Sequence, residues 1–535
     1  MSTAVPAAVC TTVSFVWPDG RSVLEEFSAT FPRGRTGMIG VNGSGKSTLL
    51  RLIAGRLQPS AGSVTVHGRL GYLPQDVSLA TDLTVADVLG VSEMLTALRA
   101  IESGDARELH FETIGTQWDV AERSRAVLDQ LGLEQVGLDR MTCSLSGGES
   151  TLLAVAAQVL QGPDVLLLDE PTNNLDHLAR ERLYATVRAW PGSMIVVSHD
   201  RALLGLVDQI ADLRGGQVHV YGGPWEDYEA AVAAEQEAAE RKVRVAEQDL
   251  RRQRRELVEA HTKLDRRRRY GKKMQENKRE PKVVMNSRER QAQVSAAKHR
   301  TMHEGKVADA EDRLTSREQE LIDEPEIRID LPDTQVPAGR QVLSLTETAT
   351  RCQSAVDLLV QGPERIALTG RNGSGKTTLL ETITGRLQPL AGQVQVHVPA
   401  RHLPQRLNIL DPHLSVAQNV ARLAPGATDN EVRARLARFL FRGRRADQAA
   451  GTLSGGERFR ASIAALLLAE PAPQLLLLDE PTNNLDLASV AEFTQALVGY
   501  RGALIVASHD YRFLREIGVT RWLTLDHQLR EVDPP

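Results

Sequence analysis

Cysteine and long apolar runs are scarce in this 535-residue chain. Its three cysteines, Cys10, Cys143 and Cys352, form no CxxC pair, which argues against a cysteine metal site and fits a reducing compartment. No apolar stretch approaches the roughly 18 residues that a membrane-spanning helix requires. Residues 1–10 show no basic region followed by an apolar run. We therefore expect a cytoplasmic protein without a secretory signal or membrane insertion.

Charge is distributed unevenly along the chain. The net charge at pH 7 is −5, yet residues 241–300 contain 21 Lys and Arg against 8 Asp and Glu. The length suits two or three domains, and a hydrophobic fraction of 41% is ordinary for a globular protein. A basic segment in an otherwise acidic chain indicates that this segment binds a polyanion.

Four short motifs occur twice, in the same order. The first set is GVNGSGKS (40–47), LSGGE (145–149), LLLDEP (166–171) and SHD (198–200), and the second is GRNGSGKT (370–377), LSGGE (453–457), LLLDEP (476–481) and SHD (508–510). Lys46 and Gln75 are 29 residues apart, as are Lys376 and Gln405. The duplication predicts two α/β domains of one fold, at 1–228 and 326–535, with a different segment at 229–325.

Each glycine-rich loop is predicted to follow a strand and to open a helix. Glycines let backbone N–H groups approach phosphates at the helix N-terminus, where the dipole favours anions. Lys46 and Lys376 are placed to reach the β and γ phosphates. The two loops predict ATP-binding residues Gly40, Asn42, Gly43, Ser44, Gly45, Lys46, Ser47, Thr48, Gly370, Asn372, Gly373, Ser374, Gly375, Lys376, Thr377 and Thr378.

Oxygen ligands for Mg²⁺ are predicted in both halves. Asp169 and Asp479 end apolar runs that are typical of buried parallel strands, and each carboxylate can hold the ion. Hydroxyl and amide oxygens complete the predicted metal set, which is Ser47, Gln75, Asp169, Thr377, Gln405 and Asp479.

The residues after these aspartates are the candidate general bases. Glu170 and Glu480 are placed to polarise the attacking water. His199 and His509 follow another strand and are expected to contact the γ-phosphate. The predicted catalytic set is Glu170, Glu480, His199, His509, Gln75 and Gln405.

A heptad pattern runs through residues 229–325. The apolar positions recur every seven residues before a break and again after it: Val243, Leu250, Leu257 and Leu264, then Val307, Leu314 and Leu321. Gly271, Asn277 and Pro281 lie in the break and are expected to interrupt the helix. The pattern predicts an antiparallel two-helix hairpin, with arms of about 40 residues.

The predicted tip of this hairpin, about residues 265–290, is its most basic part. A run of charge on an exposed helix is often only a solvated face, and that interpretation stays open. Concentration at a tip with few acids favours binding to a phosphate backbone. The predicted RNA-binding residues are Arg266, Arg267, Arg268, Arg269, Lys272, Lys273, Lys278, Arg279, Lys282 and Arg288.

The first half contains about 22 more residues than the second between its glutamine and its LSGGE motif. Leu95, Leu98 and Ile101 have helical spacing, and a turn-like Ser-Gly-Asp sequence follows them. We predict a short helical arm near residues 92–118. A neutral loop expansion is the alternative.

The motif order resembles the ATP-binding-cassette family over essentially the whole chain. In that family the LSGGE motif of one cassette caps the nucleotide held by the other cassette's glycine-rich loop. The resemblance implies roles for Ser146, Gly147 and Gly148 at the second loop, and for Ser454, Gly455 and Gly456 at the first. It also places Trp17 where the family stacks an aromatic on adenine, whereas residues 345–353 contain no aromatic. We expect two unequal sites in one monomer with intramolecular cassette pairing.

Two cassettes that both contain PTNNLD, at 171–176 and 481–486, and are joined by a basic hairpin resemble the ABC-F subfamily. The resemblance implies an ATPase that uses ATP and Mg²⁺ and binds the bacterial ribosome near the E site, where its hairpin meets rRNA and peptidyl-tRNA. Ribosome protection against antibiotics and a translation-factor role both fit. Two alternatives remain, a DNA-binding ABC ATPase and the energy subunit of a transporter with separate membrane subunits.

Overall fold

A computed structural model describes residues 5–77, 82–173, 175–276, 301–317, 331–405, 409–453, 455–483, 485–526 and 528–534. The chain forms two compact units. One contains Met1–Trp225 and Pro325–Pro535, and the other is Glu226–Glu324. We call the half before the second unit the first cassette and the half after it the second cassette. The boundaries predicted from the sequence remain predictions.

The first cassette is built on a six-stranded sheet of order β5-β6-β7-β3-β8-β9, with a three-stranded antiparallel sheet of order β2-β1-β4. Its strands are β1 (Ala8–Val16), β2 (Ser22–Phe31), β3 (Arg35–Ile39), β4 (Ala61–Val66), β5 (Leu70–Leu73), β6 (Val165–Asp169), β7 (Ser193–Val197), β8 (Gln209–Arg214) and β9 (Gln217–Gly222). Its helices are α1 (Lys46–Ile53), α2 (Val85–Leu89), α3 (Ser92–Glu102), α4 (Glu108–Ile114), α5 (Val120–Gln130), α6 (Gly147–Gln161), α7 (His177–Ala189) and α8 (Arg201–Leu204).

The second cassette repeats this plan, with sheets of order β14-β15-β16-β12-β17-β18 and β11-β10-β13. Its strands are β10 (Gln341–Thr350), β11 (Gln353–Gln361), β12 (Arg365–Thr369), β13 (Ala391–Val396), β14 (Ala400–Leu403), β15 (Leu475–Asp479), β16 (Ala503–Ala507), β17 (Arg521–Asp526) and β18 (Gln528–Val532). Its helices are α11 (Lys376–Ile383), α12 (Val416–Leu423), α13 (Asp429–Arg438), α14 (Gly455–Leu467), α15 (Leu487–Val498) and α16 (Tyr511–Glu516). The tandem α/β fold predicted from the repeat is confirmed.

Strand order brings motifs that are distant in sequence to one edge of each sheet. Strands β6, β7 and β3 are parallel neighbours, with Asp169 beside Val197 and Met38 beside Val197. All five residues of β6 and all five of β7 are buried, as expected for strands covered on both faces. The loops that follow these three strands therefore meet at the carboxyl edge of the sheet, where ligands bind in open α/β sheets.

The helical insert consists of α9 (Trp225–Glu276) and α10, whose described part covers residues 301–317. Arg254 pairs with Glu311 at 2.7 Å, and Arg313 pairs with Asp249 at 3.1 Å. The residue numbers of the paired side chains decrease along α10 as they increase along α9, so the two helices are antiparallel. Leu250 and Ala310 are buried, which fits a seam on this face.

Helix α9 continues through Gly271, where the sequence predicted an interruption. A glycine inside a helix costs only about 1 kcal/mol relative to alanine. The arginines and lysines around Gly271 are good helix formers, so they offset this cost. At 52 residues the helix is longer than expected, on the order of 80 Å. Asn277 and Pro281 lie outside the described residues.

Helices α3 and α4 lie within residues 92–118 and pack against each other, and the helical arm expected there remains a prediction. No described helix of the chain has the length and apolar character needed to cross a bilayer.

Phe493 lies at the centre of the second cassette's helical layer. Its ring is 4.9 Å from Phe459 in an edge-on arrangement and 5.6 Å from Phe513 in a stacked one. Phe493→Ala should reduce the free energy of unfolding by about 3–5 kcal/mol, because it removes buried area and leaves a cavity. Urea unfolding followed by circular dichroism measures this. Val498→Ala, at a 58% exposed position of the same helix, is the matched control, and equal losses in both variants would contradict this packing role.

Candidate functional site

The two glycine-rich loops connect β3 to α1 and β12 to α11. Gly45 and Gly375 immediately precede the helices and have φ of 100° and 93°. Gly40 and Gly370 are also left-handed, with φ of 146° and 140°. A Cβ at Gly40 would lie 2.7 Å from the carbonyl oxygen of Leu213, so a side chain does not fit there. Glycine is therefore required at these turns, which direct the backbone around an anion at the helix N-terminus.

A buried lysine begins each of these helices. Lys46 Nζ donates to the carbonyl oxygen of Gly40 at 2.6 Å, and Lys376 Nζ donates to that of Gly370 at 2.7 Å. Burial lowers the pKa of both lysines, and the neighbouring acids, including Glu170 and Glu480, partly offset the effect. Each ammonium group is thus held inside its loop, on the side where phosphate oxygens would lie.

A hydroxyl and a buried carboxylate form the candidate metal site of each cassette. Ser47 Oγ donates to Asp169 Oδ1 at 3.0 Å, and Thr377 makes the equivalent hydrogen bond to Asp479. The second oxygen of each aspartate, Oδ2, is buried without a hydrogen-bond partner among the described residues. Burial raises the pKa of both carboxyls. An unsatisfied carboxylate oxygen beside a hydroxyl fits a hard cation such as Mg²⁺.

The candidate general bases adopt a backbone conformation that non-glycine residues seldom take. Glu170 and Glu480 have φ of 50° and 44°. Such residues concentrate at functional sites, where the surroundings hold them in place. His199 Nε2 lies 3.3 Å from Glu170 Oε1, and His509 Nε2 lies 3.4 Å from Glu480 Oε1. Each glutamate therefore lies beside a histidine, although its Oε1 atom is buried without a hydrogen-bond partner among the described residues.

Burial sets the protonation of these pairs. It raises the pKa of Glu170 to about 8 and that of Glu480 to about 7. Burial, together with the charges of Lys46 and Lys376, lowers the pKa of both histidines to about 3. The imidazoles are therefore neutral at physiological pH. A carboxylate with a pKa near the working pH is suited to accept a proton in general base catalysis.

Two aspartates that the sequence interpretation left without a role connect the cassettes. Asp486 Oδ1 accepts from the backbone N–H of Ser489 and caps α15, while its Oδ2 accepts from the N–H of Asn42 at 2.7 Å. Asp176 caps α7 and accepts from the N–H of Asn372 at 3.3 Å. Each glycine-rich loop is thus held by the other cassette. An aspartate before a helix signals a cap, but no local pattern reveals its second partner.

Further contacts join the cassettes beside these aspartates. Arg201 Nη1 lies 3.3 Å from Glu516 Oε1, and the rings of His177 and Tyr511 meet edge-on at 5.0 Å. The two cassettes of one chain therefore contact each other directly through residues that follow the PTNNLD and SHD motifs.

Comparison with known proteins identifies the family. The ABC transporter family profile matches residues 24–173 and 354–483. The chain is 35% identical to the tylosin resistance ATP-binding protein of Streptomyces fradiae over 532 residues, which cover 92% of this chain and 93% of that protein. It is 30% identical to the probable ATP-binding protein YheS of Haemophilus influenzae, covering 95% of this chain and 78% of the relative. The chain belongs to the ATP-binding-cassette family, as a member of its F type.

Solved structures with this fold include an archaeal ribosome recycling factor in complex with the ribosomal stalk protein aP1. It aligns with a TM-score of 0.57 and 18% identity, over 97% of this chain and 89% of that chain. At this identity the likeness concerns the fold, and it matches the tandem cassettes of this ABC-F protein.

The turns between the first two strands differ between the two cassettes of this ABC-F chain. Trp17 lies in the turn between β1 and β2, with its ring 5.0 Å from that of Phe15. In the corresponding turn of the second cassette, Cys352 Sγ lies 3.8 Å from Thr378 Oγ1. Stacking of Trp17 on adenine remains a prediction. Gln75 and Gln405 lie two residues beyond β5 and β14 and are exposed.

The first LSGGE motif begins α6. Ser146 accepts from the N–H of Glu149, whose carboxylate accepts from the N–H of Ser146, and Gly147 and Gly148 form the first turn. Gly455 and Gly456 begin α14, and Ser454 lies outside the described residues. The pairing of each motif with the opposite loop remains a prediction.

The basic residues predicted to bind RNA are described in part. Arg266 and Arg269 are exposed on α9. The same helix includes Arg267, Arg268, Lys272 and Lys273, whose side chains lie outside the described part of the structure. The remaining positions, Lys278, Arg279, Lys282 and Arg288, fall outside the described residues.

Asp169→Asn should stabilise the nucleotide-free protein and reduce its response to metal to that of the second site. A buried carboxyl whose pKa is raised by folding destabilises the fold progressively as pH rises above its unfolded-state pKa of about 3.9, so the neutral amide should raise Tm by about 2–4 °C at pH 7. This gain should vanish below about pH 4. Differential scanning fluorimetry with ATP, with and without Mg²⁺, measures both effects. Asp129→Asn, on the surface of α5, should match wild type, and a Mg²⁺ response of wild-type size in Asp169→Asn would overturn the assignment.

Proposed function

We propose that this ABC-F protein hydrolyses ATP in two composite sites and, with ATP bound, docks on the bacterial ribosome near the E site. The observation that carries the proposal is the reciprocal contact of Asp176 and Asp486 with the opposite glycine-rich loops. A nucleotide bound at either glycine-rich loop would contact a backbone segment that is hydrogen-bonded to the other cassette. Occupancy of the sites can therefore be coupled to the arrangement of the whole protein.

The chain's own groups supply phosphate binding and water activation. Lys46 and Lys376 would exchange carbonyl oxygens of their loops for phosphate oxygens. Glu170 and Glu480 would accept a proton from the attacking water, and a neutral histidine lies beside each of them. Water activation requires the ionised glutamate, so activity should rise with pH through the region of about 7 to 8.

Mg²⁺ would be held in the first site by Ser47, Asp169 and Gln75, and in the second by Thr377, Asp479 and Gln405. It would neutralise phosphate charge and align the γ-phosphate for in-line attack. The buried and unpaired Oδ2 atoms of both aspartates support this assignment.

The basic hairpin is proposed to act on the peptidyl-tRNA and the peptidyl-transferase centre. Exposed Arg266 and Arg269, with the basic residues that follow them in sequence, provide charge for a phosphate backbone. Identity of 35% to a tylosin resistance protein along nearly the full length supports ribosome protection against antibiotics as the outcome. A translation-factor role is the alternative within the same mechanism. A cytoplasmic location is part of the proposal.

Glu170→Gln combined with Glu480→Gln should trap the protein on ribosomes in the presence of ATP. The amides preserve shape but cannot accept the proton, so the ATP-bound form should persist. Sucrose-gradient sedimentation with bacterial ribosomes measures retention, and prebound tylosin, erythromycin or chloramphenicol reports drug release. Loss of drug supports protection, and retained drug supports a translation factor. Failure of the double variant to co-sediment in ATP would contradict the ribosomal proposal.

Charge reversal near the hairpin tip should weaken ribosome binding and its dependence on salt. Arg266→Glu with Arg269→Glu removes two candidate phosphate contacts, and each lost contact should reduce the salt slope by about 1. The matched control is Arg241→Glu with Arg244→Glu, an exposed pair of the same spacing on the same helix. Binding measured at several salt concentrations should change far more for the first pair. Equal losses for both would indicate a nonspecific charge effect.

A further inference from the structure

Arg201 follows the first SHD motif directly and is the first residue of α8. Asp200, the last residue of that motif, caps the helix by accepting from the backbone N–H groups of Ala202 and Leu203. The side chain of Leu203 is buried in the first cassette. The backbone at Arg201 is therefore held by the motif before it and by the core after it.

The guanidinium of Arg201 has partners in two other parts of the chain. Its Nη1 donates to Oε1 of Glu516 at 3.3 Å, and Glu516 lies on α16 of the second cassette. Its Cζ lies 5.5 Å from the centre of the Trp225 ring, within the range of a cation–π interaction. Trp225 is buried and is the first residue of α9, with which the helical insert begins. One side chain thus contacts both the other cassette and the residue from which the insert starts.

The ion pair between Arg201 and Glu516 joins the two helices that follow the SHD motifs. Helix α16 starts directly after the second motif, whose Asp510 caps it by accepting from the N–H of Phe513 at 3.0 Å. The histidine of each motif is predicted to contact a γ-phosphate. A displacement of either motif would therefore move one partner of the ion pair, because a capped turn of helix connects them.

The internal repeat departs from symmetry at this junction. Counted from the SHD motifs, Tyr511 is the counterpart of Arg201 and Leu206 is the counterpart of Glu516. Tyr511 instead contacts the ring of His177 edge-on at 5.0 Å. Because tyrosine and leucine carry no charge at neutral pH, the second copy of the junction cannot form this ion pair. The ion pair is thus specific to the copy that also contacts the start of α9.

We propose that Arg201 couples the contact between the cassettes to the start of the helical insert, so that ATP fixes the position of Trp225. The inference rests on the proposed function. ATP at the glycine-rich loops would favour contact between the cassettes, because each loop is hydrogen-bonded to the opposite cassette. In this contact Glu516 holds the guanidinium beside the Trp225 ring. Separation of the cassettes would remove Glu516 and release the guanidinium from the ring.

Tryptophan fluorescence tests this coupling without ribosomes. In the Glu170→Gln/Glu480→Gln protein, ATP with Mg²⁺ should change the emission, and the part of the change that Trp225→Phe removes is the signal of Trp225. Arg201→Gln and Glu516→Gln should each abolish most of this signal, and the combination should remove no more than either alone. Glu516→Gln keeps the arginine beside the ring, so its effect separates coupling from the mere presence of the cation.

Arg512→Gln is the matched control. Arg512 Nε donates to the same Glu516 Oε1 at 2.9 Å, but both residues belong to α16, so this change should leave the Trp225 signal in place. Circular dichroism checks that each variant is folded. The inference is wrong if Arg201→Gln or Glu516→Gln responds to ATP as the parent does, if Arg512→Gln loses as much signal as they do, or if Trp225→Phe leaves the whole response unaltered.

Ribosome binding provides a second measurement. In the same parent protein, Arg201→Gln should lower the ratio of ribosome affinity with ATP to that without ATP by about fivefold or more. Binding of ATP itself, measured by calorimetry, should stay unchanged. An unchanged affinity ratio would contradict the coupling. A parent protein that binds ATP but no ribosomes would refute the proposed function, and the fluorescence result would still decide the role of Arg201, so the two failures are distinguishable.

Discussion

Two aspartates join the cassettes, and the rest of the molecule's chemistry depends on them. Each divides its carboxylate between its own helix and the opposite glycine-rich loop, through Ser489 and Asn42 for Asp486. Burial alone would raise the pKa of these carboxyls, but the hydrogen bonds that they accept, helped by nearby positive charge, lower it. They are therefore ionised acceptors, which make stronger hydrogen bonds than neutral ones. Because these loops are also the predicted phosphate sites, the binding of ATP and the contact between the cassettes depend on the same backbone segments.

The site concentrates features that folding alone disfavours. Three features raise the free energy of the nucleotide-free protein. They are the unpaired carboxylate oxygens of Asp169 and Asp479, the left-handed backbone of the two glutamates and the burial of the two lysines. A surrounding core of buried strands such as β6 and β15 tolerates them. ATP and Mg²⁺ carry the complementary charges and ligands. The arrangement is consistent with a site whose polar groups are completed by its ligand.

Much of this architecture follows from local chemistry that the sequence displays. The tandem cassettes and the helical insert were predictable because three sequence patterns each favour one structure. These patterns are glycines at tight turns, an acid after an apolar run and a heptad repeat. Gly271 was misjudged because its cost is small beside the helix preference of its neighbours. The second partners of Asp486 and Asp176 were not predictable, because both depend on how distant segments pack.

The two halves have kept their phosphate chemistry and diverged around it. The glycine loops, the carboxylates and the histidines occupy equivalent places, with matched distances of 3.3 and 3.4 Å between histidine and glutamate. The differences lie at Trp17 against Cys352 and in helices α3 and α4. The first difference concerns the predicted adenine position, and the second concerns helices with many exposed residues. Such a duplication can hold two nucleotides in the same way while responding to them differently, since identical phosphate groups lie in unequal surroundings.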